Sequence, residues 1–202
     1  MSTAAAPVRS GGLPHAEGRG TLADLLPASR TKDIALVVGG AVLTGIAAQI
    51  SVPVPGSPVP VTGQTFAALL VGTALGTRRG FLSLALYALA GMAGMPWFAE
   101  GTSGYAMPSF GYILGMLLAA TVVGALARRG ADRSILRTAG SMVLGSAIIY
   151  AVGVPYLALA TGMTLAQAVS AGLVPFLIGD ALKAALAMGA LPTAWKLIGR
   201  RG

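Results

Sequence analysis

A chain of 202 residues, 55% hydrophobic and only 10% charged, with a mean hydropathy of +0.78, carries more apolar surface than one water-soluble domain can hide, because such domains run near 25% charged residues. The lack of cysteine excludes disulfide frameworks, thiolate metal sites and cysteine nucleophiles, and the one histidine, His15, cannot build a zinc site alone and reads as a solvated tail residue. The formal charge of +8 does not imply nucleic acid, because the basic residues lie between apolar runs and form no aromatic-rich basic face.

From Met1 to Ala28 the sequence is rich in Ala, Gly, Pro and Ser without an apolar period, so it is expected to be a disordered tail, with residues 29–202 forming the membrane domain. No apolar run of signal-peptide length follows Arg9. A spanning helix needs about 20 apolar residues, fewer where it tilts or kinks. Six segments qualify: Ile34–Ile50, Gln64–Gly76, Gly80–Met92, Ser109–Ala127, Ala139–Ala160 and Leu173–Ile198. Thr164–Ser170 reads as a short interfacial helix before the sixth.

Basic residues test this count, since they concentrate in cytoplasmic loops. Arg9, Arg19, Arg30 and Lys32 precede span one, Arg78 and Arg79 join spans two and three, and Arg128, Arg129, Arg133 and Arg137 join spans four and five. Lys196, Arg200 and Arg201 close the chain, which puts thirteen of the fourteen basic residues on one side. The pattern predicts an all-α polytopic fold of six transmembrane helices with both termini cytoplasmic. Small residues recur four apart at Ala41/Gly45, Gly111/Gly115 and Ala181/Ala185/Gly189, a spacing that lets helix backbones approach closely. It serves either packing within the subunit or, at the Ala41/Gly45 face, docking on a membrane partner.

The remaining base, Lys183, lies in span six three residues from Asp180, in PFLIGDALKAALA. Three residues apart on a helix share a face, and an ionisable residue inside a bilayer is costly enough that it ordinarily pairs, faces a cavity and serves a function. A structural ion pair locking span six is the alternative. Asp180 is seven residues beyond Leu173, so it sits roughly 10 Å below the outer end, with Lys183 a turn deeper. A pocket floored by an acid and a base suits a small solute bearing a carboxylate and hydrogen-bond donors.

Two unusual loops hang above it. SVPVPGSPVPVTGQT carries four prolines, which hold it extended, and leads to Gln64, either a polar contact or an interfacial residue. GMPWFAEGTSGYAMPSFGY concentrates Trp97, Phe98 and Tyr105 among glycines, either as interfacial anchors or as a lid, and Glu100 reads as solvated. No G-x-x-x-x-G-K-[ST] loop exists, because no glycine precedes a lysine; uptake powered by ATP would need another chain to hydrolyse it.

PVPVTGQTFAALLVG, GMAGMPWFAEGTSGY, MPSFGYILG and PFLIGDALKAAL, in this order and with these six spans, resemble the BioY family of biotin-specific substrate-binding (S) components of energy-coupling-factor (ECF) transporters. The resemblance covers about Lys32 to Gly199. It implies a small membrane protein of a prokaryotic cytoplasmic membrane that captures biotin outside and releases it inward. Its partners would be a transmembrane coupling subunit and ATPase subunits, although some members are encoded without dedicated partners. By position, Lys183 is expected to hold the biotin carboxylate and Asp180 its ureido N–H donors, or else to hold Lys183. Phe98, Ser103, Gly104 and Tyr112 fall in the family's other ligand-contacting region. The family pattern there is closer to GPTGGY than to MPSFGY, with Phe110 where the pattern has glycine. The Ala41/Gly45 spacing resembles the motif by which S components dock on the coupling subunit. No cofactor is implied beyond the ligand, with ATP hydrolysed by partners.

Two other classes remain. An ion-coupled secondary carrier could use Asp180 as a proton relay, although the internal repeat such carriers often show is absent. An intramembrane enzyme is disfavoured, since Asp180 is the one embedded acid and has no histidine or cysteine near it. Within the same class, an S component for thiamin or riboflavin is the nearest alternative.

Overall fold

The Ser29 hydroxyl accepts a hydrogen bond from the Lys32 amide (3.1 Å) and so caps the first helix, α1, Arg30–Ala48. The computed structural model describes residues 20–199; Arg9, His15, Arg19, Arg200 and Arg201, with the first nineteen residues of the expected tail, lie outside the described residues. The proline-rich loop after α1 folds into a small antiparallel hairpin, β1 (Ser51–Val52) and β2 (Val61–Thr62), with Ser51 opposite Thr62.

The second helix, α2, runs Gln64–Met92, where two segments are read from the sequence. Its backbone breaks at Gly76 (φ 82°, ψ 179°), a left-handed conformation that glycine adopts without steric cost. A Cβ built on Gly80 would lie 2.9 Å from the Gly72 Cα, whereas a straight helix would hold residues eight apart about 12 Å from each other. The limbs, residues 64–75 and 77–92, are therefore folded back on one another, with Arg78 and Arg79 at the bend.

Next come α3 (Phe110–Ala127), α4 (Ile135–Thr161), the short α5 (Leu165–Gly172), a 3-10 turn at Val174–Phe176, and α6 (Leu177–Gly199). Ser134 caps α4. The segment expected as an interfacial helix is α5, opened by a capping box of Thr164 and Gln167. Pro155 and Pro192 sit inside α4 and α6. Four stretches are individually long and apolar enough to cross a membrane: 30–48, 110–127, 135–161 and 165–198. Leu84, Tyr87, Met116, Ile149 and Leu157 are among the fully buried side chains at the centre. The hairpin of α2 packs most extensively on α3, and α3 on α4; α6 is more loosely held, chiefly by α4.

The expected disorder does not extend through residue 28. Leu22–Leu25 form a 3-10 turn closed by Thr21 and Asp24, and Thr21 and Ala23 are buried. The reason is electrostatic: Arg79 at the bend of α2 reaches Asp24 (2.9 Å) and Asp33 of α1 (2.8 Å). Burial alone would raise the Asp24 pKa, but the Thr21 amide and the Arg79 guanidinium hold it below the usual carboxylate value. At the same end of the bundle the fully buried Asp132, between α3 and α4, accepts a hydrogen bond from the Trp195 indole of α6 (2.6 Å), and the Arg133 guanidinium lies 4.4 Å over the Trp195 ring. Burial pushes the Asp132 carboxyl up, against the opposing pull of Trp195 and Arg133.

Candidate functional site

Lys183 of α6 points inward with its side chain 18% exposed. Its ammonium donates to the Thr65 hydroxyl at the start of α2 (2.7 Å) and to one oxygen of Asp180 (3.3 Å). The other Asp180 oxygen accepts from the Tyr150 phenol of α4. One charge pair and two hydroxyls thus join three helices, an arrangement that satisfies each buried polar group. Spacing alone brings Asp180 and Lys183 onto one face; Tyr150 and Thr65 come from the folding back of α2 and the antiparallel run of α4.

Lys183 floors a narrow cavity of about 30 Å³, room for a water or two. Gln64 and Thr65 line it from α2, Phe98 from the loop between α2 and α3, Ser109, Tyr112 and Met116 from α3 and its approach, Tyr150 from α4 and Phe176 from the turn before α6. The walls are aromatic: Tyr112 stacks on Phe176 (ring centroids 6.4 Å, 18°), and Tyr150 meets both edge-on. The Tyr112 phenol donates to the Gly172 carbonyl (2.8 Å), so its ring, rather than its hydroxyl, faces the cavity.

The loop between α2 and α3 closes the top. Phe98 is 1% exposed, packed on Tyr87 (5.2 Å, edge-on) and seated over Gly91, where an added Cβ would fall 2.0 Å from the ring. The Gln49 amide, one residue past α1, donates to the carbonyls of Trp97 and Phe98 (both 3.0 Å) and ties the loop down. The Trp97 indole donates to the Tyr87 carbonyl (3.0 Å). Trp97 and Phe98 are therefore lid residues pointing inward, while Tyr105 faces out and Glu100 is exposed. Phe110, where the family pattern has glycine, packs between Phe98 and Tyr156.

Of the residues expected at the site, Gln64, Phe98, Tyr112 and Lys183 meet at the cavity. Three do not line it. Asp180 stands behind Lys183, facing an apolar gap of about 660 Å³ between α4 and α6, because Tyr150 and Lys183 hold both of its oxygens. Ser103 is exposed in the same loop, and Gly104 is held away by the hydrogen bond its amide donates to the Gly91 carbonyl (2.9 Å). Thr65, Tyr150 and Phe176 were not singled out by sequence; hydroxyl and aromatic residues inside apolar runs give no signal that separates a site from a core.

Ala41, expected with Gly45 to form a docking face, is 1% exposed, and Gly45 is buried under the Trp97 ring, 3.0 Å from where its Cβ would stand. The outward stripe of α1 is Ile34, Val38, Val42 and Ile46, beside an open Gly39.

A sequence profile of the BioY family matches residues 19–200. A protein of Pyrococcus horikoshii called a probable biotin transporter BioY is 35% identical over 162 residues, 79% of this chain and 93% of its own length. A biotin transporter BioY of Thermotoga maritima is 37% identical over 145 residues, 70% of this chain and 83% of its own. The crystal structure of the S-component for biotin from an ECF-type ABC transporter superposes with a TM-score of 0.75 at 20% identity, covering 84% of this chain and 95% of that one, a likeness of fold. A profile that spans the whole membrane domain, with relatives above 30% identity along most of their length, places this chain in the BioY family.

Proposed function

We propose that this protein is a biotin-capturing S component that crosses a prokaryotic cytoplasmic membrane six times, with both termini inside, and delivers its ligand in concert with an ECF coupling subunit and its ATPases. Counting the limbs of α2 separately gives six long helical segments. The contacts of Arg79 with Asp24 and Asp33, of Asp132 with Trp195, and of Arg133 with the Gly20 carbonyl gather the start of α1, the α2 bend, the α3–α4 loop and the end of α6 at one face, which supports an even number of crossings. That face also carries the arginine-rich loops, as a cytoplasmic face would.

The observation that carries the biotin reading is Lys183, a buried cation at the floor of an aromatic-walled cavity in a chain whose relatives are named biotin transporters. A carboxylate accepts a charge-assisted hydrogen bond from it, the aromatic walls cover the fused rings, and Gln64 and Ser109 offer partners for the ureido group. The cavity must widen to admit the vitamin, and the lid loop and the loosely packed α6 are the walls free to move. Capture needs no bond making, in keeping with a transport role.

The test is calorimetric titration of the detergent-purified full chain with biotin, with thiamin and riboflavin as controls. Stoichiometric binding of biotin alone is expected. Binding of a control vitamin in its place would move the protein to another specificity, and uptake that survives loss of ATP but collapses with a proton uncoupler would favour an ion-coupled carrier.

A further inference from the structure

The buried charges at the floor of the cavity already balance before a ligand arrives. Asp180 and Lys183 form one ion pair with side chains 14% and 18% exposed. No other charged side chain among the described residues lines the cavity or the two gaps that border it. From the neighbouring helices, Asp180 and Lys183 are faced by the hydroxyls of Tyr150 on α4 and Thr65 on α2, with Tyr112 of α3 against the Tyr150 ring. A ligand carboxylate that binds Lys183 therefore brings a second negative charge to a site holding one cation. Three charges summing to minus one, enclosed by aromatic and aliphatic walls, carry a desolvation cost that a protein relieves by changing protonation.

We infer that the Tyr150–Asp180–Lys183 network takes up one proton for each carboxylate ligand it binds. The reading rests on the biotin assignment and adds a co-ligand to it. The balance is simple: the ligand anion and one proton from solvent enter, and the site stays neutral. Asp180 has a place for that proton, because Tyr150 can accept from a protonated carboxyl as readily as it donates to an ionised one. The proton belongs to the coupled network rather than to one residue. The consequence is a pH-dependent affinity. Where a full proton is taken up, binding weakens about tenfold per pH unit as pH rises.

The experiment is calorimetry of the full chain with biotin and with its uncharged primary amide, in phosphate and in Tris at the same pH between 7 and 8. The slope of observed enthalpy against buffer ionisation enthalpy counts protons. A slope near one for biotin and near zero for the amide is expected. Slopes near zero for both, or equal slopes for both, overturn the proposal while leaving biotin binding intact. Failure of biotin to bind at all, in folded protein, is instead a failure of the functional assignment on which the proposal rests.

Discussion

Gly91→Ala is expected to unseat the lid. The new methyl carbon would lie 2.0, 2.2 and 2.6 Å from the Cζ and both Cε atoms of Phe98, the whole far edge of the ring, so spinning the ring about its own axis gives no relief. Phe98 must leave a site in which it is 1% exposed. Losing that burial costs about 1.5–3 kcal/mol, and losing its edge-on contact with Tyr87 removes a further ~0.5–1.5 kcal/mol. Alanine in place of glycine gives back up to about 1 kcal/mol near a helix end, leaving a net loss of roughly 1–4.5 kcal/mol. The opposing terms separate in a double-mutant cycle with Phe98→Ala. Once the ring is gone, Gly91→Ala meets nothing and becomes neutral or mildly stabilising. Thermal unfolding of the four proteins in one detergent, read together with biotin affinity, measures the coupling. Equal effects of Gly91→Ala with and without the phenyl ring would refute the account of how the lid is seated.

Other perturbations probe the floor and the end of the bundle at the α2 bend. Lys183→Ala is expected to weaken biotin about 10- to 100-fold, the worth of a charge-assisted hydrogen bond of ~1.5–3 kcal/mol, and to weaken the uncharged amide much less; equal losses in calorimetry would remove the carboxylate assignment. Asp132→Ala leaves the Trp195 indole N–H without its acceptor and should cost about 1–3 kcal/mol, seen as a lower unfolding temperature with a shift in tryptophan emission; an unchanged temperature would mean that the contact does not hold α6. Because the folded pKa of Asp24 is depressed, its contribution is present above the unfolded value of 3.8 and lost as pH falls through the folded value. Limited proteolysis should therefore find residues 20–28 protected at pH 7 and released in strong acid, with Asp24→Asn showing early release at neutral pH; equal protection in both proteins would discount the Arg79 clasp.

The helices could be read because a bilayer imposes a length on apolar runs, and the Asp180/Lys183 pair could be read because charge inside such a run is conspicuous. What escaped depends on facing. Spacing placed Ala41 and Gly45 on one side of α1 but could not say that the side looks inward, since the outward stripe of α1 is equally apolar. Asp180 is conspicuous in the sequence, but its position behind Lys183 is set by Tyr150, a phenol in the run GSAIIYAVG that has no partner within its own helix. Likewise the order of residues 20–28 depends on an ion pair from Asp24 to Arg79, 55 residues away, which local composition does not register.

The joining of Asp180 to Lys183 within a single turn also bears on how the protein is made. During synthesis α6 must enter the bilayer, and two isolated charges in its first two turns would each burden its insertion. As neighbours three residues apart, they can travel as a neutral dipole that needs neither Tyr150 nor Thr65 to shield it. The helix can therefore be threaded into lipid first and docked onto α4 and α2 afterwards, so assembly of the binding floor need not wait on the translocation machinery.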